Sequence, residues 1–326
     1  GGGSPMGQRQ GTKRKGTAEA DGAGRDSPLM LGAAFDEKFA FALGRDGFRI
    51  VLGEGAIGDV LLCRRASESE DGLETLGAVK IIPSEAVTRS VRAGIQCLTE
   101  LSGGPCIAKL LEPPFYSPGY TSLVFEYAAG GELFEFVKRR KQLPEEDCMH
   151  GVAQIVEAVA FLHGAGYVHR DLKPENVLLF DNRNAGDVTR WMWKITDFDF
   201  AKELDQGSEW CTTVCGTPGW SPPEVMELRG GRIDNAESKG IGKGRYMGRA
   251  VDIWGVGMIA YYCLGGYRAF EHGFCEGTGS PLLEFHRERW SKVSDRCIQF
   301  CRSTLERDYL RRTHWKKLKK EALLLL

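Results

Sequence analysis

Apolar and polar residues alternate from Phe48 onward, with Ile50 and Leu52, then Val60 and Leu62, and then the run Ala78-Val79-Lys80-Ile81-Ile82. A period of two is the mark of strands with one covered face, so these runs predict a small antiparallel sheet. Beyond it the period changes. Pro144 to His163, Val251 to Leu264 and Asp295 to Leu305 carry apolar residues at three-and-four spacing, which predicts helices with one buried stripe. A strand-rich part followed by a helix-rich part predicts an α+β chain of two lobes, divided at 35–126 and 127–326. The junction falls at Tyr127 to Gly131, where a ligand cleft would open. Residues 1–34 show no apolar period and are rich in Gly, Ser, Thr and charge, with a Lys13-Arg14-Lys15 cluster, so they read as a disordered tail. Within it, Gly1 to Pro5 read as added sequence ahead of Met6.

Composition narrows the picture only a little. The chain has 326 residues, 43 basic against 44 acidic, and a formal net charge of -1. No global field would therefore draw it to nucleic acid or to an anionic membrane. The ten cysteines follow no zinc-ligand spacing and fit reduced thiols in a cytoplasmic protein, with a nuclear location as a secondary expectation. Cys211 and Cys215 are close enough in sequence to raise a redox pair as an alternative. The longest apolar run, Val251 to Tyr267, is short, glycine-rich and starts beside Asp252, so it reads as a buried helix and not a membrane span.

The candidate chemistry lies in four places. Gly53-Glu54-Gly55-Ala56-Ile57-Gly58-Asp59-Val60 has the spacing GxGxxGxV with strands on both sides, which suits a backbone flap over phosphates. A dinucleotide-binding turn uses the same glycines but needs a helix after them, and a plain hairpin needs fewer. Lys80 stands among apolar strand residues, where a cation requires solvent or an anion. In His169-Arg170-Asp171-Leu172-Lys173-Pro174-Glu175-Asn176, Asp171 can accept a hydroxyl proton and Lys173 can steady a phosphoryl group. Asn176 can offer its amide oxygen to magnesium. Asp197, in Asp197-Phe198-Asp199, follows a strand-like Trp193-Lys194-Ile195 and supplies the carboxylate that magnesium requires.

On these motifs, residues 48 to about 315 resemble a protein kinase, closest in style to the calcium/calmodulin-dependent group. The resemblance implies a bilobal fold, ATP and Mg2+ as cofactors, and serine or threonine of proteins as acceptor. It implies Asp171 as catalytic base with Lys173 and Lys80, and Asn176 and Asp197 as metal ligands. Leu52, Gly53, Gly55, Gly58, Val60, Ala78, Phe125 as gatekeeper, Glu126, Ala128, Glu132 and Leu178 would line the nucleotide site. Glu132 and Glu175 match positions that receive upstream arginine in basophilic relatives, and Thr217 would buttress the catalytic loop beside substrate. Thr213 would be a phosphorylation site for an upstream kinase, with Arg170 pairing the phosphate. Glu224 should find an arginine near Arg311 or Arg312, and Asp252 should anchor the catalytic loop. The basic stretch Arg311 to Lys320 reads either as a calmodulin-type target or as the last helix of the second lobe.

Two positions depart from the family pattern. The helix position that normally carries a glutamate for Lys80 holds Gly94, and Glu100 and Glu85 lie on other faces. The third residue of the Asp-Phe-Gly motif is Asp199, a form shared with the MAP-kinase-interacting kinases. Asp199 or an acid of the first lobe is expected to substitute as partner of Lys80, and Gly94→Glu is expected to raise phosphotransfer. An active but slow or conditional kinase is the leading reading, and a nucleotide-binding pseudokinase scaffold is the alternative. Asp181 to Arg190 and Gly230 to Gly244 read as insertions.

Overall fold

Pairing between the strands decides which side of the sheet meets water, ligand or core. The computed structural model describes residues 29–66, 75–181, 191–230, 244–270 and 283–326. In it β1 (Phe39–Phe41), β2 (Val51–Gly55), β3 (Gly58–Arg65), β4 (Leu76–Pro83), β5 (Phe115–Ser117) and β6 (Tyr120–Glu126) build one antiparallel sheet of order β1-β3-β4-β6-β5. β2 shares the edge of β3 with β1. Directly opposed residues in such a sheet share a face. Val60 opposes Lys80, Leu62 opposes Ala78, and Ala78 and Lys80 oppose Phe125 and Leu123. The predicted strands are present, but Val60 and Leu62 are not their outer core. Ile82 and Leu123 on the Lys80 face are buried against the helix Arg89–Leu101 and the second lobe, while Leu61, Cys63, Val79, Ile81 and Val124 on the other face form the core under the helix Ala33–Asp36.

That second face is covered from the N-terminal side. Leu31 is buried, and the short helix α1 (Ala33–Asp36) sets Phe35 at 5.7 Å from both the Phe39 and the Phe115 rings. Of the segment expected to be disordered as far as 34, residues 29–34 are described, and within them Leu31 packs into this core while Met30 stays exposed. Residues 1–28, with Lys13-Arg14-Lys15, lie outside the described residues, as do 182–190 and 231–243 of the two insertions.

Helix α2 (Arg89–Leu101) lies between the sheet and the second lobe. Its Thr88 hydroxyl caps the Val91 N–H at 3.3 Å, and Val91, Ile95, Leu98 and Leu101 form its buried stripe. The second lobe starts with β7 (Gly131–Glu132), α3 (Leu133–Arg140) and α4 (Glu145–Gly164). The hairpin β9 (Val177–Phe180) and β10 (Met192–Ile195) pairs with β7, while β8 (Tyr167–Val168) pairs with β11 (Lys202–Glu203). Further on, β12 (Trp210–Cys211) pairs with β13 (Tyr246–Met247), and α5 (Pro223–Arg229) precedes α6 (Gly248–Gly265), which is buried along its whole length. The helices α7 (Arg287–Trp290), α8 (Asp295–Thr304) and α9 (Trp315–Leu323) complete the lobe. Among the described residues no helix is long and apolar enough to cross a membrane, and the cysteines, Cys211 and Cys215 included, are free thiols.

The basic C-terminal stretch resolves into two uses. Arg312 is buried in a paired contact with Glu224, Nη1–Oε1 2.7 Å and Nη2–Oε2 3.0 Å, as the sequence led us to expect. Helix α9 packs on α4 through the buried Leu318 and Ala322 and is the last helix of the lobe.

Candidate active site

The loop between β8 and β9 carries His169 to Asn176, and a single carboxylate at the start of α6 holds its shape. Asp252 accepts the His169 N–H at 2.9 Å, the Arg170 N–H at 2.7 Å and a contact from the His163 ring at 2.8 Å. Burial pushes this carboxyl up, but the His163 contact and the loop amides outweigh it and hold it below the usual carboxylate range. Arg170, at φ 69°, takes a left-handed backbone that side chains rarely adopt. The anchoring at Asp252 maintains it.

Asp171 sits at the centre of a closed set of contacts. Its Oδ1 accepts the Thr217 hydroxyl at 2.8 Å, and its Oδ2 accepts the Lys173 ammonium at 2.7 Å and Asn176 Nδ2 at 3.2 Å. Lys173 also donates to the Thr217 oxygen at 2.6 Å. With Nδ2 turned to Asp171, Asn176 has its amide oxygen left for another partner. Across the β9–β10 hairpin the Thr196 N–H donates to the Asn176 carbonyl at 3.0 Å, which brings Asp197 beside it.

Lys80 closes the other side. It donates to Asp197 Oδ1 at 2.8 Å and to Asp199 Oδ1 and Oδ2 at 2.9 and 2.8 Å. Burial would raise Asp197, yet the Lys80 charge and hydrogen bonds bring it down to about 2. Burial and the neighbouring Asp197 charge push Asp199 up to about 7. A strongly acidic carboxylate and a free amide oxygen suit magnesium held by one or two protein oxygens together with phosphates, and the Lys80 ammonium beside them suits a phosphate anion. No cluster of three or more His, Cys, Asp or Glu that could cage a metal occurs among the described residues.

Val60, Ala78, Lys80 and Phe125 share the sheet face that looks onto this set. Gly55 opposes Gly58, so β2 and β3 form a hairpin whose tip is Ala56-Ile57. Leu52 falls at a register shift in that hairpin and is partly exposed. β7 sets Glu132 opposite Leu178. The Glu126 carboxylate is engaged by Lys194 Nζ at 2.6 Å and the Lys109 N–H at 2.8 Å, so any part it plays at a hinge falls to its main chain.

Against this geometry, the model of the protein kinase domain matches residues 48–324. The chain belongs to the protein kinase family. Calcium/calmodulin-dependent protein kinase type 1B of Rattus norvegicus is 34% identical over 264 residues, covering 79% of this chain and 68% of that protein. The type 1 enzyme of Caenorhabditis briggsae is 33% identical over 260 residues, covering 78% and 65%. The type IV enzyme of Mus musculus is 36% identical over 219 residues, covering 67% and 40%. The kinase is accordingly a serine/threonine protein kinase with the bilobal α+β fold.

Other parts of the kinase carry contacts that sequence motifs did not announce. Arg170 donates from Nε to the Phe200 carbonyl at 2.8 Å and from Nη1 to the Tyr246 hydroxyl at 3.1 Å and the Thr213 carbonyl at 3.4 Å. Tyr246 itself donates to the Thr213 carbonyl at 2.8 Å. Arg170 thus meets the main chain of Thr213, whose side chain is exposed. Arg268 lies 3.8 Å from Glu175 and over the Trp220 ring. Neither Tyr246 nor Arg268 belongs to a local motif, and their roles arise only from folding.

One expectation needs correction. Gly94 faces the Asp-Phe-Asp backbone so closely that a Cβ there would overlap the Phe198 carbonyl oxygen and lie 3.3 Å from Asp199 Cα. Gly94→Glu therefore has no room for its side chain, and the gain in phosphotransfer expected from it does not follow. Glu100 is taken up by the Tyr167 hydroxyl at 2.6 Å and Gln96 at 2.9 Å, and Glu85 lies in the turn before α2.

Proposed function

We propose that this serine/threonine kinase uses ATP and Mg2+, with Asp171 as base, and prefers acceptor peptides with basic residues upstream. The observation that supports the proposal is the linked set Lys80–Asp197, Asn176–Asp171 and Lys173–Asp171–Thr217, whose two halves are joined by the Thr196 N–H on the Asn176 carbonyl. Asp171 is oriented by three donors, so its carboxylate is aimed rather than free, and accepts the proton of an incoming serine or threonine hydroxyl. Lys173 and Thr217 hold that carboxylate and leave the lysine cation near the phosphoryl group in transfer. Lys80, Asn176 and Asp197 would hold the nucleotide phosphates and the metal, while Leu52, Gly53, Gly55, Gly58, Val60, Ala78, Phe125, Glu126, Ala128 and Leu178 would enclose the base and ribose. Magnesium held by Asn176 and Asp197 would supply charge neutralisation at the phosphate oxygens.

The peptide preference rests on Glu132 and Glu175. Desolvation pushes both carboxyls up, although Glu132 keeps an exposed surface, and the charge of Glu175 raises Glu132 further, so the two acids lie close enough to repel. Glu175 Oε2 is buried with no hydrogen-bond partner among the described residues. An arginine side chain would relieve both conditions. We also read Gly94 as standing at the C-helix glutamate position, Asp199 as the altered residue of the magnesium-binding motif, and Thr213 as a phosphorylation site. A calmodulin-type target at α9 is the weaker reading, because the apolar face that a groove would take is packed on α4.

The experiment is ATP-dependent phosphorylation of an arginine-containing peptide by the full chain, beside Asp171→Asn. Removing the base should lower turnover by about 10²-fold or more. Equal signals from the two proteins would leave a nucleotide-binding scaffold as the better description.

A further inference from the structure

Lys80 Nζ makes three contacts with carboxylates of a single segment, one with Asp197 and two with Asp199, as many as its ammonium can donate. Helix α2, which in the family supplies the acid for this lysine, presents a bare backbone at Gly94 instead, and that backbone abuts Phe198 and Asp199. One turn earlier the Ser90 hydroxyl donates to the Asp199 carbonyl at 3.0 Å, so helix and segment are also joined by a hydrogen bond. Building on the kinase reading above, we propose that Asp199 is the positioning residue for Lys80, and that Gly94 is the clearance that lets it act.

The two departures then form one arrangement. Deleting the side chain at 94 removes the helix acid and, in the same step, opens a slot one side chain wide. The Asp-Phe-Asp backbone occupies that slot, and Ser90 holds it there. The approach delivers the Asp199 carboxylate to Lys80 from below, where a glycine would deliver nothing. Restoring either family residue alone breaks the arrangement: a side chain at 94 displaces the segment, and a glycine at 199 leaves Lys80 with Asp197 only. Asp197 is then asked both to steady Lys80 and to face the metal. The rival assignment makes Asp199 an extra metal ligand or an inhibitory acid, and neither needs Gly94.

The test uses the full chain and two readouts. The first is melting of the nucleotide-free, metal-free protein for wild type, Lys80→Met, Asp199→Asn and the double variant. Asp199→Asn should raise the melting temperature more in the Lys80→Met background, where the acid has lost its cation, than in wild type. Equal shifts in both backgrounds would overturn the pairing. The second is kinetics on the arginine peptide. Asp199→Asn keeps size but not charge and should lower kcat about tenfold or more, with the peptide KM unchanged, since displacing phosphate-binding groups by an ångström costs on the order of 10²-fold. Asp199→Gly should do no better than Asp199→Asn. Either variant matching or exceeding wild type would refute the positioning role. Gly94→Ala should lower both kcat and melting temperature although alanine is the better helix former, and a rise in melting temperature with unchanged kcat would remove the clearance argument. If wild type transfers no phosphate to the peptide, the kinase reading fails, while the melting comparison still decides the pairing of Lys80 with Asp199.

Discussion

Arg170 at φ 69° and Asp197 at φ 62° hold backbone conformations that cost about 1–3 kcal/mol each in a residue with a side chain. Both persist because a fixed charge faces them, Asp252 for the first and Lys80 for the second. The same logic of held charge governs Glu132 and Glu175, whose carboxyls burial pushes up. A raised carboxyl takes its proton at higher pH than an exposed one, and only the charged form attracts arginine. The KM for an arginine peptide should therefore rise as pH falls, beginning above the ordinary glutamate range, while a peptide with no basic residue shows no such rise. A steady-state pH series on both peptides checks this. At this scale the sequence was informative wherever a motif is contiguous. Asp171, Lys173 and Asn176 stand within one octet, and their mutual contacts follow from it. Tyr246 and Arg268 were not legible, because each meets its partner only after long stretches of chain have folded back.

Among the elements, the sheet shows how far alternation reaches. Period two located β3 and β4 correctly but could not say which face met the core, since Val60 and Leu61 are both apolar. What decides is the cover: α1 and the residues before it lie on the Leu61 face, leaving the Val60 face for the cleft. The stretch 29–34, read as the end of a disordered tail, carries too few apolar residues to show a period, yet its Leu31 is buried beside Phe35. The segment is consequently a structural part of the lobe. Phe35→Ala should destabilise the protein by about 3–5 kcal/mol through loss of its contacts with Phe39 and Phe115. Denaturant unfolding of the two proteins measures this directly. The position of α2 was not legible either, because the close approach at Gly94 depends on where Asp199 lies.

For the whole molecule, the sheet face under α1 has a core of its own around Leu61, Val79 and Phe35, while a larger core runs through α4 and α6 and takes in α2 with Ile82 and Leu123 of the sheet. Helix α6 passes through the centre of the larger one and makes its closest approaches at glycines. Gly255 lies against Leu172 of the catalytic loop, and Gly257 lies against Thr304 of α8. A Cβ at Gly255 would come within 2.5 Å of Leu172 Cβ and 2.8 Å of its carbonyl oxygen, so Leu172 of the loop packs directly on the bare backbone of the helix. Loss of activity on heating should then coincide with melting of the second lobe instead of preceding it, which parallel activity and circular dichroism scans would show. Helix α6 acts as a keel: the loop bearing Asp171 rests on one flank and the outer helices on the other. A methyl group added at Gly257, on the flank away from the nucleotide, should for that reason be felt as lost turnover at the far side of the keel.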